Sequence, residues 1–292
     1  MKNRTSAFDR LFDWVNVSVL LLIAAVMLFP FLYLFSVSFS SLEDFLASRL
    51  LLWPSNWTTD AYEYILESRA FRNSMMITIL VTVIGTLVNL IFTGTMAYAL
   101  SRQIIGQRTV MFMVVFTLLF SAGMIPSYLV VKATGLLDSI WALILPVAIT
   151  PFNLIVMRQF FLSIPGDLYD AAHMDGANDL QIFTRIILPL SKPSLAAFGL
   201  FYAVTHWNNY FAPILYINAP EKWTIQVILR QIVVVGEATA TLAGDNSFSE
   251  NPPPPETIQM AAILLATLPI LLVYPFLQKH FAKGVMLGAV KG

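Results

Sequence analysis

Uncharged polar residues gather chiefly in one apolar stretch of this 292-residue chain, where Tyr202, His206, Asn209 and Pro213 are separated by four, three and four positions. On a helix that spacing puts them on one face, with Thr205, Asn208 and Ala212 along the neighbouring strip. Hydroxyls, side-chain amides and aromatic faces are the groups that hold a hydroxyl-rich solute such as a sugar. Tyr202, His206, Asn208 and Asn209, with Asn153 further back in the chain, are therefore the candidates for a solute pathway. The same groups serve equally for hydrogen bonds between helices, with Trp207 and Tyr210 in an interfacial aromatic belt, and the spacing alone leaves both readings open.

Chemistry of other kinds is missing from the residue inventory. There is no cysteine, which removes thiol nucleophiles, disulfides and thiolate metal sites. No H-E-x-x-H and no G-x-x-x-x-G-K-[ST] sequence occurs, so no catalytic residue, no metal site and no cofactor are expected in this chain. With 17 basic and 17 acidic side chains the formal charge is zero, which argues against nucleic acid as a partner. At 58% hydrophobic and 12% charged, against roughly 25% charged in soluble domains, the chain cannot cover itself with a wet surface. It reads as a membrane protein.

Six runs reach the length of about 20 mostly apolar residues that a spanning helix needs: Trp14–Phe39, Asn73–Leu100, Thr109–Val131, Ile140–Met157, Ser194–Ile217 and Thr257–Leu277. The expected fold is an all-α polytopic membrane protein with six transmembrane helices. Residues 1–13 form an N-terminal segment, 14–278 the membrane domain, and 279–292 a tail. The first run is too long for the core of a signal peptide and is read as a retained span. Six spans put both termini on one side. Placing them in the cytoplasm leaves eleven basic residues inside (Lys2, Arg4, Arg10, Arg102, Arg108, Arg158, Arg185, Lys192, Lys279, Lys283, Lys291) and six outside (Arg49, Arg69, Arg72, Lys132, Lys222, Arg230). That is the orientation the positive-inside rule favours. No Asp or Glu falls within a span, which weakens the case for a proton-coupled carrier or an intramembrane enzyme. Span two carries Gly85, Asn89, Thr93 and Ala97 at intervals of four, a narrow face suited to close helix packing.

The outer loops are 40–72 and 218–256. The first ends in Ala61–Arg72, either an interfacial helix or a lead-in to span two. The second holds Gly244, Asp245, Asn246 and Pro252–Pro255 and is not expected to be regular. The inner loop 165–190 is the most informative. Pro165 and Asp167 start a helix, Gly176 interrupts it, and Asn178 or Asp179 caps a second one that ends before Pro189. Ala171, Ala172 and Met174 give the first helix an apolar surface; Leu180, Phe183 and Ile187 do the same for the second. These residues either bury against a partner or fold back onto the ends of their own spans.

The stretch Asp170-Ala-Ala-His-Met-Asp-Gly176, continuing to Ile187-Leu-Pro189, resembles the EAA motif of the membrane (permease) subunits of binding-protein-dependent ABC importers. Phe201-Tyr-Ala-Val-Thr-His-Trp-Asn-Asn-Tyr210, Val227-Ile-Leu-Arg-Gln-Ile232 and the terminal Lys283–Gly292 extend the resemblance over nearly the whole chain. Together they are similar to the carbohydrate-importing class that includes the maltose permease, and within it to the oligosaccharide and alginate-importer branch. One departure is Asp170, which stands where the motif carries Glu. The resemblance implies a transmembrane subunit that forms half of a translocation pathway for an oligosaccharide, in a bacterial cytoplasmic (inner) membrane. Its implied partners are a second six-helix permease subunit, two cytoplasmic ATPase subunits that bind ATP and Mg, and an extracytoplasmic solute-binding protein. It implies that Asp170, Ala171, Ala172, Asp175 and Gly176 form the ATPase-coupling surface, to which the apolar pattern adds Met174 and Leu180. It further implies that Gly288, Lys291 and Gly292 in the tail reach the ATPase. An ion-coupled secondary sugar carrier acting alone is the rival reading.

Overall fold

The computed structural model describes residues 7–47, 51–236, 242 and 252–289, with side chains over 11–41, 43–47, 51–236, 242 and 252–275. Its helices are α1 (Ala7–Ser38), α2 (Leu42–Ala47), α3 (Asp60–Glu67), α4 (Arg69–Ser101), α5 (Gln107–Leu119), α6 (Met124–Ala133), α7 (Pro151–Leu162), α8 (Asp167–Met174), α9 (Asp179–Ile182), α10 (Leu188–Leu190), α11 (Lys192–Trp207), α12 (Phe211–Tyr216), α13 (Ile225–Arg230) and α14 (Pro255–Ala289). Short 3-10 turns at Ile140–Leu143 and Leu145–Val147 precede α7, and wider π turns follow α9 and α13. The described residues hold no strand, only an isolated bridge between Ser40 and Trp57. The all-helical expectation holds.

Six unbroken spanning helices are not what forms. Three helical stretches are long and apolar enough to cross a membrane alone, namely Leu11–Ser38, Arg69–Ser101 and Pro255–Pro275. Two bent pairs raise this to as many as five: Ile140–Val147 with Pro151–Leu162 at 51°, and Asp179–Leu190 with Lys192–Trp207 at 82°. The run expected as span three is two helices of 13 and 10 residues, parted at Phe120–Gly123. Span five parts at Asn208–Tyr210. Proline explains the pattern. Pro126, Pro151 and Pro213 each stand in the first turn of a new helix, where the missing N–H has no intrahelical acceptor to lose. Only Pro30, Pro269 and Pro275 remain inside helices.

The chain forms two compact units, residues 1–69 with 231–267, and 70–230 with 268–292. In the first, the carboxylate of Asp44 accepts the backbone N–H groups of Ser55 and Asn56 at 3.0 and 2.6 Å and so shapes the loop after α2. Helix α3 is a separate element that buries Ala61 and Ile65 and stacks Tyr62 on Phe39, just past the end of α1. The stretch Ala61–Arg72 thus divides at Ser68, with residues up to Glu67 in a short helix of their own and Arg69–Arg72 opening α4. Most of residues 237–256, including Gly244, Asp245 and Asn246, lie outside the described residues.

The second unit has two apolar clusters. One gathers Tyr98, Leu154, Met157, Phe161, Phe183, Ile187 and Phe198; the other gathers Val81, Val131, Leu143, Ile144, Tyr216 and Ile217. Beside the latter, Asp138 fastens two loops. Its N–H donates to Tyr216 O at 2.8 Å. Its Oδ1 accepts from the N–H groups of Asn218 and Ala219, and its Oδ2 pairs with Lys222 Nζ at 3.0 Å. The residue sits at φ 58°, a left-handed backbone that Asp tolerates better than most side chains. The Ala219 N–H first, then Lys222, hold this carboxyl below the usual carboxylate range.

A carboxyl lowered in this way stabilises the fold fully above the unfolded value of about 3.9, and that contribution disappears as pH falls through the lower folded value. Detergent-solubilised protein is therefore expected to lose thermal stability as pH drops below about 4, with Asp138→Asn less stable at neutral pH and less sensitive to acid. Parallel acid sensitivities in melting curves of the two proteins would contradict it.

Candidate functional site: the inner loop and the seam between two helices

The loop 165–190 folds as two helical segments meeting at a glycine, as its capping residues imply, but the second does not end before Pro189: it runs on through a π turn to Leu190. Gly176 takes φ 78°, which frees Ala177 N–H to close back on Ala172 O at 3.0 Å and ends α8. Asn178 then opens α9 with a reciprocal cap: Gln181 N–H donates to Asn178 Oδ1, and Asn178 N–H donates to Gln181 Oε1. His173 Nε2 lies 3.6 Å from Asp179 Oδ1 across the turn.

The loop is two-faced. Tyr169, Ala172, Ile182, Phe183 and Ile187 are buried in the apolar cluster beneath it. Asp170, Ala171, Asp175 and Gly176 are exposed. Met174 is 88% exposed and Leu180 69%. Ala172, expected on the outward surface, is instead turned inward, and Phe183 and Ile187 fold back onto the chain's own apolar cluster, one of the two readings left open for them. The helical period accounts for this, since Ala172 falls three residues after Tyr169 on the inner face of α8. The fold-back reading therefore holds for the inner face, and the other face is left exposed.

What holds the inner face is a cluster that the sequence does not announce. Tyr98, near the end of α4, stacks on Tyr169 with ring centroids 6.4 Å apart, lies 4.8 Å from Phe183, and donates its hydroxyl to Asp179 O at 3.3 Å. The Arg102 guanidinium lies over the Tyr169 ring and 5.3 Å from that of Tyr98. Burial pushes the Arg102 pKa down from its ordinary value. Arg158 Nε and Gln107 Nε2 both donate to Leu100 O, at 2.7 and 2.6 Å, so α7 and α5 are tied to the same end of α4. Tyr98 and Arg102 are visible in sequence only as an i, i+4 pair; their partner Tyr169 is 71 positions from Tyr98 and no local pattern links them.

Further along α4, its small-residue face meets the polar strip of α11. Gly85, Asn89, Thr93 and Ala97 are all buried. A Cβ on Gly85 would lie 2.5 Å from His206 Nε2, so only glycine admits the imidazole there. Asn89 Nδ2 donates to Val147 O and, at 3.0 Å, to Ala148 O, where the chain breaks before α7. Its Oδ1 is therefore the acceptor for His206 Nε2 at 2.6 Å, which assigns the proton to that nitrogen. Thr93 Oγ1 and Tyr202 Oη are 2.8 Å apart.

Tyr202 and His206, each 2% exposed, thus face α4, and Asn153 is buried. Asn208 is exposed, while Asn209 is half-buried with its Oδ1 accepting Ala212 N–H at 3.2 Å to start α12. Helix α14 carries its backbone past Gly288, and Lys291 and Gly292 lie outside the described residues. No group of three or more His, Asp or Glu that could hold a metal occurs among the described residues.

Comparison with known proteins adds the following. The family model described as "Binding-protein-dependent transport system inner membrane component" matches residues 5–287. The chain is 51% identical over 287 residues to the polygalacturonan/rhamnogalacturonan transport system permease protein YtcP of Bacillus subtilis (strain 168), covering 97% of this chain and 99% of that one. It is 47% identical over 284 residues to Protein LplC of the same organism, covering 97% and 96%. Its fold matches a chain in the crystal structure of a bacterial ABC transporter involved in the import of the acidic polysaccharide alginate. That match has a TM-score of 0.89 and 39% identity over 94% of this chain and 98% of that one.

The close approach at Gly85 yields a double-mutant test. Gly85→Ala is expected to destabilise the protein by about 1–3 kcal/mol through overpacking against the imidazole, and to cost much less once His206→Ala has removed that ring. Unfolding midpoints of the four proteins in detergent measure the coupling; additive losses would show that the two residues do not press on each other.

Proposed function

The chain belongs to the family of binding-protein-dependent transport system inner membrane components, and from that premise we propose that it is the transmembrane subunit of an ATP-driven ABC importer, forming half of a translocation pathway for an oligosaccharide. A second six-helix permease subunit completes the pathway, an extracytoplasmic binding protein delivers the sugar, and two ATPase subunits bind ATP and Mg in the cytoplasm. The chain crosses the inner membrane six times with both termini inside; the broken third, fourth and fifth stretches count as spans. The relative of known name that handles polygalacturonan/rhamnogalacturonan, and the alginate importer of similar fold, support a saccharide as cargo.

The observation that carries the reading is the outward face of the loop 165–190. Met174 and Leu180 are exposed on a segment that has already buried its other apolar face, and they stand among the carboxylates of Asp167, Asp170, Asp175 and Asp179. An apolar cleft with a basic rim on each ATPase complements that surface. ATP binding would draw the two loops together, and the displacement would pass to α4 through Tyr98, Arg102 and Tyr169, then to α11 through the seam at Gly85, Asn89 and Thr93. This is alternating access driven from the cytoplasm. Gly288, Lys291 and Gly292 in the tail add a second ATPase contact.

The side chains turned toward the cargo are those at the breaks. Non-helical backbone is tolerated at membrane depth only where it is buried in protein or lines a watery passage, and transporter sites gather at such discontinuities. Ser121 and Gly123 of the third stretch and Asn208 and Tyr210 of the fifth are exposed at their breaks. Tyr202, His206 and Asn153 support this lining from behind.

Burying Met174 and Leu180 in a partner would contribute roughly 1.5–3 kcal/mol each before association costs. The combined change Met174→Asp and Leu180→Asp is therefore expected to abolish co-purification of the ATPase and to reduce ATP-dependent oligosaccharide uptake into proteoliposomes at least tenfold. Unchanged ATPase recovery would remove the docking assignment. Uptake that needs an ion gradient and no ATPase would identify the secondary carrier instead.

A further inference from the structure

Counting charges by loop assigns Arg230 to the outer loop and leaves every span without a basic side chain. The fold brings Arg230 somewhere more specific. It ends α13, whose Ile225, Val227 and Ile228 are buried, and Ile225 N–H donates to Thr78 Oγ1 of α4 at 2.7 Å. At the same helix's entry, Thr224 Oγ1 reaches Asn209 O at 3.5 Å. So fastened, α13 sets the Arg230 guanidinium 5.8 Å from the Tyr210 ring centroid, beside the break in the fifth stretch.

Three properties of this corner belong together. Arg230 is exposed, and no carboxylate pairs with it among the described residues. Tyr210 is 37% exposed and Phe211 54%, which offers flat faces to the C–H surface of a pyranose. Asn208, exposed two residues before Tyr210 in the same break, supplies an amide for a hydroxyl. A guanidinium presents a planar fork of donors that matches a carboxylate bidentately, which suits it to an anionic ligand. From this juxtaposition we infer that Arg230, with Tyr210 and Asn208, forms a subsite that reads the carboxylate of a uronate residue in the transported oligosaccharide.

The inference rests on the importer reading and specifies the charge of its cargo. A neutral sugar can use the rings and the amide but not the guanidinium, so Arg230 confers specificity for acidic sugars without contributing to the capture of neutral ones. The competing role is an interfacial anchor for lipid headgroups, which would be indifferent to the sugar's charge.

The test uses the intact permease–ATPase complex in nanodiscs without the binding protein, with labelled trigalacturonate and a neutral trisaccharide of galactose as probes. Wild type is expected to prefer trigalacturonate. Arg230→Gln is expected to weaken trigalacturonate about tenfold, equivalent to about 1.4 kcal/mol, and to leave the neutral trimer unchanged. Arg230→Lys should restore part of the loss, because charge returns without the fork. Recovery of assembled complex shows that each variant folds. No preference in wild type, or equal loss for both sugars in Arg230→Gln, overturns the subsite. Failure of wild type to take up any oligosaccharide with ATP and binding protein present would instead overturn the importer reading, and the two failures are read in separate assays.

Discussion

The contact between α4 and α11 is the constraint on which the second unit depends. Gly85 lets the His206 ring approach the α4 backbone, and Asn89 turns that approach into a three-way tie by accepting from the ring and donating to Val147 and Ala148. In an apolar surrounding, such polar groups act as glue, because their alternative is an unpaired donor or acceptor. The tie also fixes the place where the fourth stretch breaks. Remove it and α4, α11 and the start of α7 lose their common register. Helix α4 meets the inner loop at one end through Tyr98 and Arg102 and receives α13 near the other through Thr78. It is the strut to which both the loop 165–190 and the Arg230 corner are fastened.

Polar residues in this chain divide into two populations with different work. Those sealed between helices, such as Thr93, Tyr202, Asn89 and His206, hydrogen-bond across the seam and hold geometry, with His206 Nδ1 left unpaired there. Those at helix breaks, such as Asn208 and Tyr210, remain open and are available to a solute. The breaks follow from proline in the first turn of the succeeding helix, so the same residues that interrupt the ladder also locate the open positions.

Much of this is legible in the residues. The first, second and sixth spans follow from length and hydropathy, the loop's two helices from Gly176 and Asn178, and the packing face of α4 from four small residues at intervals of four. What was not legible is pairing. The small face of α4 and the polar strip of α11 are both visible, but their mutual contact is 117 positions apart in sequence and no period connects them. For the same reason the strip reads equally as pathway or as glue. Ala172 and Phe183 carry no local sign of which way they face, since an amphipathic pattern gives a face but not its neighbour. Arg230 is the sharpest case: a linear count makes it an ordinary outer-loop cation, and only the anchoring of α13 on Thr78 brings it to Tyr210.

The central claim is that the docking loop and the break in the fifth stretch move as coupled parts of one unit. Because the chain has no native cysteine, spin labels can be placed singly at Asp175→Cys on α8 and Asn208→Cys at the break, both exposed. Pulsed electron–electron distance measurements on the reconstituted complex, free and trapped with nucleotide, test the coupling directly. The account predicts that the distance distribution between these labels shifts when nucleotide closes the ATPase pair, and that Tyr169→Ala abolishes the shift while the complex stays assembled. An identical distribution in the two states, or a shift that survives loss of the Tyr169 ring, would contradict it.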